Sequence, residues 1–315
     1  MKRLLTIFML LLILVALVSC GDSTGTGGNE NEGTQGEGNQ NGDNENQNGG
    51  NENQNGGEGT QAVEHKLTVK NEGGAPLDDL RLFIYGDTEL SDLIAFSETN
   101  VRGEATFSIG EGSYWAVIYD APEGYLVSES YQLEGTDEEI ILETELIEED
   151  FEDKYFDLGS VVPNMTIVKT NGETVTLSQI FESGKEAIML NFWYTGCMPC
   201  RMEFPYVEEA YSEYSDRVEI LALDCYGEAN ETVAEFQEQN GYSFIMTTCV
   251  EGLIANFGGT AYPTSVIIDR YGVICLVETG MLTSAEPLMN AFEYFTGDGY
   301  EQVLFDSFEE IPSQD

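Results

Sequence analysis

The 315 residues carry 12 Lys and Arg against 58 Asp and Glu, a formal net charge of −46. A surface that acidic repels phosphate backbones, which excludes nucleic-acid binding. The single histidine, His65, lies outside every segment that reads as chemical, so imidazole catalysis is excluded too. The length fits two compact domains. Six cysteines remain to be explained, Cys20 and five from Cys197 onward. At the N-terminus Lys2 and Arg3 precede an apolar run from Leu4 to Val18, broken only by Thr6, which has the pattern of a signal segment.

Leu17-Val18-Ser19-Cys20 resembles the bacterial lipobox. By that resemblance residues 1–19 are a lipoprotein signal peptide. Cys20 becomes the lipidated first residue, and the chain is held by its lipid anchor on the extracytoplasmic face of the cell membrane. An uncleaved anchor helix and an ordinary secretory signal are the alternatives. Residues 20–62 form a linker of Gly, Asn, Gln and Glu in which the heptad 44–50 recurs as 51–57. Such a segment cannot bury enough apolar area to offset its chain entropy, so it is expected to be disordered, with a span of about 35 Å.

Residues 63–145 read as short alternating strands (His65–Lys70, Leu80–Tyr85, Ala105–Ile109, Tyr114–Tyr119 and Ile140–Leu142) between turns rich in Gly, Asp and Asn. A small all-β sandwich with antiparallel strands is the expected fold. The stretches NEGGAPLDDLRLFIYG, RGEATFSIGEGSYWAVI and APEGYL resemble the carboxypeptidase-regulatory-like and CnaB-like modules. Some of these modules form a Lys–Asn isopeptide bond. Lys66 and Lys70 are the candidate lysines here, but no Asn lies at a convincing partner strand, so a rigid spacer or interaction module is expected.

An acidic hinge, 146–157, leads into alternating strands and helices over 158–298, and an acidic tail is expected over 299–315. Ala187–Trp193 is a near-continuous apolar run, as in a strand covered on both faces. Cys197-Met198-Pro199-Cys200 follows and opens an amphipathic helix. A cysteine at a helix N-terminus meets unpaired N–H groups and about half a positive charge, which favour thiolate over thiol. Cys197 is therefore the candidate nucleophile, and Cys200, one turn on, the resolving thiol. Pro199 suits the first helical turn. Half of a zinc site is the competing reading, but Cys225, Cys249 and Cys275 are scattered singles that complete no tetrahedral set. No metal and no cofactor are expected. The ends of neighbouring strands bring Cys225 and Cys249 near one another, which leaves open either a disulfide or two inert thiols.

Four stretches together resemble the TlpA/ResA-like branch of the thioredoxin superfamily: LGSVVPNMTIVKTNGETVTLSQI, AIMLNFWYTGCMPCRMEFP, TAYPTSVIID and GVICLVETGMLT. The resemblance implies an α/β thioredoxin-like fold, a central mixed sheet flanked by helices, with dithiol–disulfide exchange through Cys197 and Cys200. It places a cis bond at Pro263, with the backbone of Tyr262 pairing with the substrate, and puts Trp193, Met198 and Pro199 in the substrate-binding surface. Glu203 matches the glutamate of ResA-like proteins and is expected to shuttle a proton. Asn191 stands where thioredoxin has a buried acid. Gly196 replaces the Trp that often precedes the first cysteine and should leave the sulfur open to a partner. The implied partners are thiols and disulfides of exported proteins, with a CcdA-like membrane thiol transporter as electron donor. The alternative from another class is a surface-binding lipoprotein that uses the β module, with the thioredoxin-like part as scaffold.

Overall fold

The structure, a computed structural model, describes residues 62–147 and 154–313. The signal segment, Cys20, the linker and residues 148–153 of the hinge lie outside the described residues. Strands β1 (Val63–Asn71), β2 (Arg81–Tyr85), β3 (Leu93–Glu98), β4 (Glu104–Ile109), β5 (Tyr114–Tyr119), β6 (Tyr125–Leu126), β7 (Tyr131–Leu133) and β8 (Asp137–Thr144) form two four-stranded sheets, ordered β4-β1-β8-β6 and β3-β2-β5-β7. Alternation along the strands puts Leu67 and Val69 of β1, Leu82 and Ile84 of β2, and Ala116 and Ile118 of β5 into one buried core. The pairing departs from the antiparallel expectation at one place. β1 and β8 run parallel, with Val69 opposite Ile140, because β8 enters from the β7 side rather than from a hairpin with β1.

In the C-terminal part, β9 (Thr166–Val168) and β10 (Thr174–Thr176) make a hairpin around Gly172, whose φ of +84° suits glycine. Helix α1 (Leu177–Glu182) follows directly on β10. Thr176 and Gln179 form a reciprocal capping box there, a Thr-x-x-Gln signal visible in the sequence. Then come β11 (Ala187–Trp193), α2 (Met198–Tyr214), β12 (Val218–Asp224), α3 (Asn230–Asn240), β13 (Ile245–Thr248), α4 (Leu253–Asn256), β14 (Thr264–Asp269), β15 (Ile274–Thr279) and α5 (Glu286–Thr296). The five-stranded sheet is ordered β13-β12-β11-β14-β15, parallel from β11 to β13 and antiparallel at β14 and β15. All seven residues of β11 are buried, as its apolar run requires. This is a thioredoxin-like fold preceded by an all-β region.

The expected acidic tail is instead part of the core. Phe305, Phe308 and Ile311 are buried, Phe305 bridges to Leu276, and the Phe305 N–H donates to the Cys275 carbonyl at 2.9 Å. Acidic neighbours mask this spacing of three residues in the composition. Gln302 ties the parts together. Its N–H donates to the Gly73 carbonyl at 2.7 Å, its Oε1 accepts from Asn71, and its Nε2 donates to the buried Asp269. The Tyr125 hydroxyl donates to the Gly159 carbonyl at 3.0 Å. At Gly124, φ is +93° and an added Cβ would lie 2.5 Å from Val161, so only glycine allows this approach.

A buried Phe truncated to Ala costs about 3 kcal/mol or more. Phe305→Ala should therefore lower the unfolding free energy in urea by about 3 kcal/mol; a loss below about 1 kcal/mol would mean that the terminal segment is solvated.

Candidate functional site

The buried strand β11 ends at Trp193, and the chain turns through Tyr194, Thr195 and Gly196 into α2. Cys197 is the N-cap of that helix. Its N–H donates to the Tyr194 carbonyl at 3.0 Å, and its Sγ accepts the Cys200 N–H at 3.2 Å. Pro199 lies in the first turn, where it has no N–H to orphan. Cys197 and Cys200 are joined by a disulfide, with their Cα atoms 5.3 Å apart. The Tyr262–Pro263 bond is cis, and Thr264, which follows, pairs with Phe192 of β11. That register sets the proline loop beside the C-x-x-C turn.

Two expectations need correction. Cys197 is only 2 % exposed and Cys200 fully buried, so replacing a Trp by Gly196 does not leave the sulfur open. Cys197 belongs to a buried core cluster, and the Tyr194 ring lies 3.1 Å from where a Cβ on Gly196 would sit. Met198, 62 % exposed, and Pro199 present the outer surface instead. Trp193, expected to meet substrate, is fully buried. It ends a strand covered on both faces, and its ring packs edge-on against Phe204 at 5.0 Å and tilted against Phe236 at 4.9 Å. Its place is the floor beneath the site.

Glu203 lies on the inner face of α2, fully buried, and accepts hydrogen bonds from Asn191 Nδ2 at 2.9 Å and from the Leu282 N–H at 3.0 Å. Burial pushes its carboxyl up to about 7, against the pull of those two bonds. It therefore holds and releases a proton near neutrality, on the helix that carries both sulfurs.

A second carboxylate pair was missed in the sequence. Glu228 accepts from the Thr195 N–H at 2.9 Å and from the Thr195 hydroxyl at 2.5 Å, two residues before Cys197. Asp224, fully buried at the end of β12, accepts the Tyr226 N–H at 2.9 Å through Oδ1. Its Oδ2 finds no donor of its own. Burial raises Asp224 to about 7, and the Glu228 carboxylate adds to the rise. Burial also raises Glu228, but its bonds with Asp224 and Thr195 outweigh that and hold it low. The only sequence signal was an acid closing the apolar run Leu221-Ala222-Leu223-Asp224.

Cys225 and Cys249, left open in the sequence, are joined by a disulfide with Cα atoms 5.0 Å apart. Cys275 is a buried free thiol whose titration burial pushes well above its ordinary range, the setting of an inert core residue. Among the described residues no three His, Cys, Asp or Glu side chains are grouped so as to hold a metal ion.

A sulfur that caps a helix, bonded to the cysteine one turn later and faced by a cis-proline loop, places the molecule in the class of thioredoxin-like redox proteins. The AhpC/TSA family model matches residues 158–277. The thioredoxin-like protein YneN of Bacillus subtilis is 30 % identical over 130 residues, covering 41 % of this chain and 75 % of YneN. The thiol-disulfide oxidoreductase ResA of the same organism is 33 % identical over 129 residues, covering 40 % and 70 %. ResA of Halalkalibacterium halodurans is 34 % identical over 127 residues, again covering 40 % and 70 %. The chain belongs to this thioredoxin-like family of thiol–disulfide oxidoreductases.

Glu203 binds its proton more tightly in the folded protein, at about 7, than at its ordinary 4.5. Its contribution to stability is therefore full below about pH 4.5 and is lost as pH rises through about 7. Asp224 acts with the same sign, so the clean measurement is a difference. Between pH 4 and pH 8, oxidised wild type should lose about 3 kcal/mol more unfolding free energy than Glu203→Gln. Parallel pH profiles for the two proteins would show that Glu203 titrates normally.

Proposed function

We propose that this protein is a membrane-tethered, extracytoplasmic oxidoreductase that reduces disulfides of exported proteins through Cys197 and Cys200. The observation that carries the reading is the Cys200 N–H donated to Cys197 Sγ at the start of α2. Once the disulfide is reduced, that bond and the helix N-terminus stabilise a thiolate on Cys197. The thiolate attacks one sulfur of a partner disulfide, a mixed disulfide forms, and the partner's other sulfur leaves as a thiolate. Cys200, deprotonated, then attacks Cys197. The enzyme disulfide re-forms and the second partner thiolate is released. Two electrons pass from the enzyme dithiol to the partner, and two protons accompany them overall.

Glu203, held between Asn191 and the Leu282 N–H, is the group suited to take the Cys200 proton, since its own proton is exchangeable near pH 7. The backbone of Tyr262, before cis Pro263, is the edge against which a partner strand would pair, and Met198 and Pro199 form the adjoining rim. Because Cys197 is almost wholly covered in the disulfide form, a partner must displace part of that cover to reach it. The two-electron return step fits a membrane thiol donor of the CcdA-like kind. Tethering rests on the lipobox-like Leu17–Cys20. Among the described residues no helix is long and apolar enough to cross a membrane.

Cys200→Ala should accumulate mixed disulfides with exported proteins, visible on non-reducing gels and released by reductant, while Cys197→Ala accumulates none. No trapped partner, together with a Cys197 titration near the free value of about 8.5, would remove the redox reading.

A further inference from the structure

Three tyrosines pack on one another beside the turn that leads into Cys197, and only Tyr262 has an expected role. Tyr194 and Tyr226 stack at 4.5 Å with 20° between their planes, and Tyr194 meets Tyr262 edge-on at 5.3 Å. Tyr226 is 61 % exposed. All three are fixed to the catalytic turn. The Tyr194 carbonyl accepts the Cys197 N–H, Tyr226 follows Asp224 and Cys225, and the Tyr262 hydroxyl donates to the Cys225 carbonyl at 3.3 Å.

Beside this aromatic face stands an exposed acid, Glu251. Its carboxylate is close enough to Gly227, the residue after Tyr226, that a Cβ there would lie 3.7 Å from it. The Cys225–Cys249 disulfide staples the two loops that carry Tyr226 and Glu251. The Cys249 N–H bonded to the Asp224 carbonyl at 2.9 Å and the Gly252 N–H bonded to the Cys225 carbonyl at 3.3 Å reinforce the staple. The second disulfide thereby acquires a role: it holds a ring face and a carboxylate in fixed relation next to the redox pair. Arg201, the cation on α2 nearest in sequence to the pair, lies over the Phe236 ring at 5.5 Å.

We propose that Tyr194, Tyr226 and Glu251 form a recognition platform that takes a lysine or arginine side chain flanking the substrate cysteine. An electron-rich ring beside a carboxylate is the chemistry that binds such a cation, through cation–π attraction and ion pairing together. The net charge of −46 favours the same partners at longer range. The proposal rests on the oxidoreductase reading and names the partners as disulfides in basic sequence surroundings.

The test uses the full chain in its reduced form and three disulfide-linked peptide dimers, identical except that lysine, norleucine or glutamate flanks the cysteine. The readout is the ratio of second-order reduction rates. The lysine peptide should react at least about fivefold faster than the norleucine peptide, the size expected of one cation–π contact, and added salt should shrink the ratio. Tyr226→Ala and Glu251→Gln should each pull the ratio toward one, and Glu251→Lys should turn the preference toward glutamate. A lysine preference that survives all three substitutions would assign it to overall charge and overturn the platform. Equal rates for the lysine and norleucine peptides would overturn it as well, while leaving the oxidoreductase reading intact. Reduction of none of the three peptides would overturn both.

Discussion

The hydrogen bond from the Cys200 N–H to the Cys197 sulfur is the constraint around which the molecule is arranged. A helix leaves its first N–H groups without partners, and here the side chain that satisfies one of them is the one that must carry charge. That geometry needs α2 to begin at a fixed point. Burial of all seven residues of β11 fixes where the turn starts. Phe204, Val207, Ala210 and Tyr211, buried along the inner face of α2, fix how the helix lies. Pro199 then takes a first-turn place where a missing N–H costs nothing. Trp193 belongs to this support: under the turn, against Phe204 and Phe236, it is a wedge and not a contact for substrate.

A thiolate in so acidic a protein looks electrostatically misplaced, and the buried carboxyls explain why it is not. Among the described residues only Glu203, Asp224 and Asp269 are buried acids; the others are exposed or half-buried, where salt screens them beyond about 8 Å. The two acids buried nearest the site, Glu203 and Asp224, are both held near 7 by burial and so keep a proton across the mildly acidic range. The Cys200 N–H is in direct contact with the sulfur and would favour a thiolate there. Glu228 keeps its charge low in that pair but spends it on the Thr195 N–H and hydroxyl, which anchors the loop entering the cysteine.

Much of this fold was legible because strands covered on both faces and strands covered on one write different patterns. The continuous run of β11, the alternation of β1 and β2, and the C-x-x-C at a strand-to-helix turn are local signals that need no partner to be read. Features that depend on distant pairing were not legible. Whether β8 runs parallel to β1 is decided by the path of the chain between them and not by composition. The terminal segment reads as acidic although Phe305, Phe308 and Ile311 bury themselves. The accessibility of Cys197 was misjudged for the same reason. The loss of a side chain at Gly196 is a local fact, whereas the burial of Cys197 depends on how the whole core packs around it. Asp224 and Glu228 become chemistry only when folding sets Thr195 between them and the cysteine.

The relation between the two ends of the sheet bears on what the β region does. β14 starts at Thr264, beside cis Pro263, and runs to Asp269 opposite Ala187, the far end of β11. Five steps along a strand amount to about 17 Å. The contacts with the β region gather at the Asp269 end: Gln302 joins Asp269 to Asn71, and the Thr144 hydroxyl donates to the Tyr271 carbonyl at 2.7 Å. Burial raises the Asp269 carboxyl above its ordinary range, and the Tyr271 and Val273 N–H groups both donate to its Oδ1. The β region makes these contacts at the end of β14 away from the cysteine turn. Its position suits a spacer that turns the tyrosine-bearing face outward better than a gate over that face, since a gate would have to reach the opposite end of β14.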